Sequence, residues 1–234
     1  MGIPVPGQTV PSKRILELYT DSCRPGSEET AVIQKAVQLL QDPRSEQFAK
    51  QLYRGLFSSL GDLKLSGLLG KWYKVVYSPS VHDDVCTIVY VDKLYDDGFL
   101  GAATIRSYFR VGNTAGKIGS NTGIVTKNGP DPGEVLFDAG QQDEPCPYFI
   151  VKVGATTTAN EKYPYIILAQ LLKHPVMVLV SDIAQYERQY KQEVWTFLTS
   201  GNFLNQVTRH YRMVEAMNFT ACNSNDFYFN LPTR

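Results

Sequence analysis

No run of apolar residues in this 234-residue chain approaches the roughly eighteen that a membrane-spanning helix needs, so no membrane span is expected. Neither sign of charge is in excess, since Lys plus Arg and Asp plus Glu number 23 each. A neutral chain without a dense Lys/Arg run has no long-range pull on phosphate backbones, which removes nucleic acid from the expected partners. Histidine is scarce. His82, His174 and His210 all fall in loop-like or turn-like sequence, and none stands beside a Ser or Cys in a nucleophile motif. The cysteines include no CxxC pair, which argues against a zinc or redox site. Gly112, Gly116, Gly119 and Gly123 lack the GxGxxG spacing of a phosphate loop. Asp83-Asp84 and Asp96-Asp97 are paired carboxylates, but both sit in turn-like sequence where Asp is favoured for backbone reasons. Neither an enzyme, a metal nor a cofactor is expected.

What is present divides into three parts: residues 1–65 as an N-terminal helical extension, 66–222 as the main domain, and 223–234 as a tail. In the first part Ser27 can cap a helix through Ala31, Val32, Ala36, Val37, Leu39 and Leu40, ended by Pro43. Ser45 can cap a second, with Phe48, Leu52 and Leu56 on one face. The main domain opens with eight strand-like runs, at 70–78, 85–94, 100–111, 117–126, 134–139, 148–155, 163–172 and 176–181. They are rich in Val, Ile, Tyr and Phe and no helix separates them. Tyr95-Asp96-Asp97-Gly98 reads as a tight hairpin turn, and 128–133 as a clear break. An antiparallel meander of this kind removes its exposed edges by closing, so an all-β, eight-stranded up-and-down barrel is expected. Tyr186, Tyr190, Val194 and Phe197 then recur at helical spacing up to Gly201, which predicts one helix lying on the barrel wall.

Cys23, Cys86, Cys146 and Cys222 are an even set, and by spacing alone they allow three pairings. Asn218-Phe219-Thr220 is an acceptor sequence for N-glycosylation. Together these features favour an exported, extracellular chain. The opening residues 1–6 show neither the basic start nor the apolar run of a secretory leader, as expected of a mature chain.

Gly70-Lys71-Trp72-Tyr73 resembles the Gly-X-Trp-Tyr motif that opens the first strand of lipocalins. A Trp there plugs the barrel floor with a large apolar ring, and Gly lets the chain pass closely beneath it. The stretch 84–90 resembles the second strand of apolipoprotein-D-like members, where a cysteine sits just ahead of the strand. Residues 158–163 are similar to the family's second motif, chiefly through Thr158 and Tyr163. In the third motif the family carries an Arg that packs over the Trp, and this chain has Asp182. The chain is thus identified as an outlying lipocalin, and its N-terminal arm resembles that of nematode lipocalin-related secreted proteins. The resemblance implies disulfides Cys86–Cys222 and Cys23–Cys146. One lipocalin branch is enzymatic through an unpaired cysteine in the barrel, and these pairings leave none.

The resemblance further implies carriage of a small hydrophobic ligand, of the fatty acid, retinoid or sterol class, inside the barrel. Its alternative is a structural or signalling role in extracellular matrix, with a matrix or receptor protein as partner. If Trp72 points inward, the two-residue period turns Lys74 and Val76 inward as well. Lys74 is then placed to meet a ligand carboxylate. Phe149 and Val151 are preferred inside over Tyr148, Ile150 and Lys152, because an unpaired lysine is costly to bury. Tyr165 and Ile167 are preferred over Ile166 and Leu168. On the third strand the choice between Ile105, Ser107, Phe109 and Thr104, Arg106, Tyr108 stays open, as does that between Met177, Leu179 and Val178, Val180 on the eighth.

Overall fold

A computed structural model describes Leu60 and residues 63–79, 83–128, 135–140, 147–156, 161–170 and 174–232. The expected N-terminal helices, Thr158, Cys23 and Cys146 lie outside the described residues. Eight strands follow one another: β1 (Gly70–Tyr77), β2 (Asp84–Asp96), β3 (Leu100–Val111), β4 (Ile118–Asn128), β5 (Val135–Asp138), β6 (Tyr148–Val153), β7 (Tyr165–Ala169) and β8 (Val176–Val180). Each pairs antiparallel with the next, and β1 pairs with both β2 and β8. The sheet therefore closes on itself as an up-and-down barrel.

Local chemistry sets the turns. Between β2 and β3 the Asp97 carboxylate accepts from the amides of Phe99 and Leu100, at 3.0 and 2.6 Å. Such side-chain capture of backbone donors is what places Asp in turns. After β8, Asp182 is extended and its carboxylate accepts from the amide of Gln185 at 2.7 Å, starting a helix. That helix comprises α1 (Ile183–Gln185), a π-helical turn over Tyr186–Tyr190 and α2 (Lys191–Ser200). Gly201 ends it, its amide donating to Phe197 O at 2.8 Å. A short α3 (Gln206–His210) and β9 (Glu215–Ala216) follow, and β9 pairs with the end of β1.

The wall has an inner and an outer apolar surface. The inner cluster joins Trp72 to Val89, Val91, Ile105, Val125, Phe137, Ile166 and Leu179, among others drawn from every strand. The outer cluster joins Val178, Val180, Phe149 and Ile167 to Tyr186, Val194 and Leu198 of the helix. β7 and β8 are consequently buried at all five positions each, which ordinary half-exposed strands are not.

The outer side of β2 and β3 is covered by the chain's last turns. Cys86 and Cys222 form a disulfide, as the family resemblance implied for this pair. Beyond it, Tyr90 donates to Tyr228 O at 2.7 Å and Tyr108 stacks on Tyr228 with ring centroids 6.0 Å apart. Arg110 pairs with Asp226, and Lys71 donates to Phe229 O. The tail thus closes over β2 and β3 as an aromatic clasp centred on the buried Tyr228.

Helix and barrel are also joined by a polar contact. Tyr165 donates to Glu193 Oε1 at 2.6 Å and Lys152 Nζ lies 3.0 Å from the same oxygen. Burial raises the pKa of the Glu193 carboxyl, but the Tyr165 hydroxyl and the Lys152 ammonium together outweigh it, leaving the pKa below the ordinary value. A depressed carboxyl pKa contributes stability above the unfolded value, and that stability is lost as pH falls through the folded one. The urea midpoint should therefore drop below about pH 4.5 more steeply in the native chain than in Glu193→Gln. Because Glu193 is half exposed, solvent screening keeps the difference small. Parallel pH profiles for the two proteins would contradict this contact.

Candidate functional site

One end of the barrel is closed from below by Leu63, Leu65 and Leu68, the last two within a 3-10 turn over Leu65–Leu68. Trp72 lies above them with no exposed surface, and its Nε1–H donates to Leu68 O at 2.6 Å. A buried indole keeps its polar handle only with such a partner. Leu65 packs so closely on β3 that a Cβ at Gly101 would stand 2.4 Å from it. Gly70 has φ of +101°, a conformation L side chains rarely adopt, and a Cβ there would meet Lys162 Nζ at 2.9 Å. The motif glycine and tryptophan thus have clear structural roles. Tyr163 completes the floor: its hydroxyl accepts from the amide of Lys64 at 2.9 Å.

The cation over the indole comes from an unexpected segment. Lys162, just before β7, places Nζ 4.8 Å from the Trp72 ring centroid and donates to Lys71 O at 3.0 Å. Asp182, standing where the family has Arg, caps the helix instead. Burial pushes the Lys162 ammonium's pKa down. Lys162→Met should cost about 0.5–2 kcal/mol, the range of a cation–π contact between exposed and desolvated settings. Unfolding in urea measures it, and an unchanged midpoint would remove the cation–π role.

Above the floor, the inward faces differ from several expectations. On β1, Lys74 is opposite Leu179 and points inward with Trp72, but a bulge between Lys74 and Val76 follows. Val76 is therefore opposite Val178 and packs in the outer cluster. On β6 the register shifts between Ile150 and Lys152. Tyr148 and Ile150 face inward while Lys152, past the bulge, faces the helix beside Glu193. The lysine is outside as reasoned, yet its neighbours Phe149 and Val151 are outside as well. Tyr165 and Ile167 also belong to the outer cluster, and Ile166 and Leu168 face inward. Expected ligand-contact positions Val76, Phe149, Val151, Tyr165 and Ile167 are therefore brought together, but behind the wall and against the helix. The two open choices resolve to Ile105 with Ser107, and to Met177 with Leu179.

Lys74 is also not alone. It forms an ion pair with Asp84 that is almost wholly buried, and Thr87 Oγ1 donates to Asp84 Oδ2 at 2.9 Å. The expectation of an unoccupied ammonium awaiting a ligand carboxylate is corrected accordingly. Asp84, read from sequence as a turn aspartate, is instead the first residue of β2. The available signal was Lys74 itself, since an inward lysine requires a carboxylate and Asp83-Asp84 are the first across the hairpin.

A separate open cleft of about 530 Å³ lies on the outside, lined by Asp92, Lys93, Thr104, Arg106, Leu231 and Pro232. Among the described residues no three His, Cys, Asp or Glu side chains gather as a metal site, and no helix is long and apolar enough to cross a membrane.

Comparison with solved structures finds similarity to Japanin from Rhipicephalus appendiculatus, whose structure is of a cholesterol-bound form. The identity is 15% over 58% of this chain and 91% of that one, with a TM-score of 0.35. The comparison with curated proteins found no match. A protein-family model for the lipocalin domain matches residues 51–227. With the closed eight-stranded barrel, its tryptophan floor and the helix behind β8, that match shows that the chain belongs to the lipocalin family.

Proposed function

We propose that this protein carries a small hydrophobic molecule, of the fatty acid, retinoid or sterol class, within the barrel and outside the cell. The lipocalin domain is in general a module for binding hydrophobic molecules rather than for catalysis. The observation that carries the reading is the inner wall. Ile105, Tyr148, Ile150, Leu168 and Met177 are apolar and face inward within a closed sheet whose base is sealed by Trp72. A ligand placed there exchanges its hydration for an apolar surround, which is the driving force for carriage. Export is supported by the Cys86–Cys222 bridge and by an exposed Asn218 whose Oδ1 is 2.6 Å from Thr220 Oγ1.

Native mass spectrometry of the protein purified from a secreting host, followed by solvent extraction, tests this directly. Co-purified lipid released with the loss of one ligand mass per chain is expected. A lipid-free chain that also takes up no cholesterol, retinol or hexadecanoic acid would contradict it.

A further inference from the structure

Among the described residues, the inner wall carries one buried charge cluster, on β1 and β2. Lys74 is opposite the inward Leu179, and Asp84 is opposite Val111, which an unshifted β3–β4 register keeps on the same face as Ile105. Both side chains therefore point to the barrel interior, with relative exposures of 2% and 4%. The ammonium is paired with Asp84, and Thr87 donates to the same carboxylate oxygen. The other oxygen, Asp84 Oδ1, is buried and accepts no hydrogen bond.

An acceptor left this way costs free energy until a donor reaches it. The ion pair is already neutral, so the chemistry of that donor is constrained. A ligand carboxylate beside Oδ1 would set two anions together where the effective dielectric is low and neither is hydrated. A hydroxyl brings the missing proton without bringing charge. We propose that Asp84, held by Lys74 and Thr87, is the polar anchor for the hydroxyl of an uncharged, alcohol-bearing apolar ligand, and that it discriminates against fatty-acid anions. This rests on the barrel interior being the carrying site.

Titration calorimetry of the full chain with hexadecan-1-ol and hexadecanoic acid near neutral pH separates the two chemistries at constant chain length. The alcohol should bind at least about tenfold more tightly, a difference set by one unfavourable charge. Asp84→Asn leaves the Lys74 ammonium without its counter-ion, and the preference should reverse in favour of the acid. The double variant Lys74→Met/Asp84→Leu leaves no charge stranded, so it should fold and bind both probes with similar affinity. Equal binding by the native chain, or an alcohol preference that survives in the double variant, overturns the anchor and leaves carriage standing. If the folded native chain binds neither probe, nor cholesterol or retinol, the carriage reading fails and the anchor with it.

Discussion

Trp72→Ala is expected to destabilise the barrel by about 3–5 kcal/mol, the range for removing a fully buried large aromatic side chain. Three losses coincide at this position. The ring contributes to the inner cluster with Leu65, Leu68, Val91 and Leu179, so its removal opens a void at the floor. The Nε1–H bond to Leu68 O disappears, leaving a buried carbonyl with one fewer partner. Lys162 loses the ring beneath its ammonium. A domain of ordinary stability has about 5–15 kcal/mol to lose, so this variant should lie close to unfolding at ambient temperature. Trp72→Phe keeps most of the volume and a ring beneath Lys162 and loses chiefly the polar bond, so it should cost distinctly less. Urea unfolding followed by far-ultraviolet circular dichroism compares the two. Equal and small losses would mean that the indole is not the floor.

Removing the Cys86–Cys222 bridge is the second large change. The residues are 136 apart in sequence, and closing so long a loop in the unfolded chain is entropically expensive. Native disulfides typically contribute about 2–4 kcal/mol, with the upper end reached by long loops. Cys86→Ala/Cys222→Ala should therefore lower stability by about that amount in oxidising buffer. The clasp of Tyr90 on Tyr228 and Arg110 on Asp226 remains, so the barrel should still close. Hydrogen exchange should nevertheless quicken first over 219–232, because the tail is then held by side-chain contacts alone. Unchanged exchange in that segment would show that the clasp does not depend on the bridge.

How much of this was legible in the sequence follows from where the chain is half exposed and where it is not. The eight strands announced themselves through β-branched runs separated by Asp, Asn, Gly and Pro. β3 was bounded at 100–111 because a tight turn precedes it and Gly112 follows. The helix after β8 was readable from Tyr186, Tyr190 and Val194, whose spacing repeats across one face. The inward faces of β6 and β7 were not readable. Both faces of those strands are apolar, one for the lumen and one for the helix, so hydrophobicity carries no direction there. The bulges after Lys74 and Ile150 defeat the period altogether, since one extra residue returns the next side chain to the opposite face. Lys152 shows the consequence. Its charge predicts the outer position it takes, but the two-residue period carried back across the bulge predicts the same side for Tyr148 and Ile150, which face the lumen. The floor cation is hidden for another reason: Lys162 reaches the indole from the bend ahead of β7, and no local pattern links it to Trp72.

The most direct test is a crystal structure of the protein purified with its lipid. Ligand density should lie inside the barrel, bounded by Ile105, Tyr148, Leu168 and Met177, with Trp72 beneath and Asp84 beside its polar end. Density seated instead between Phe149, Ile167 and the helix, or in the outer cleft by Asp92 and Leu231, would contradict carriage within the barrel.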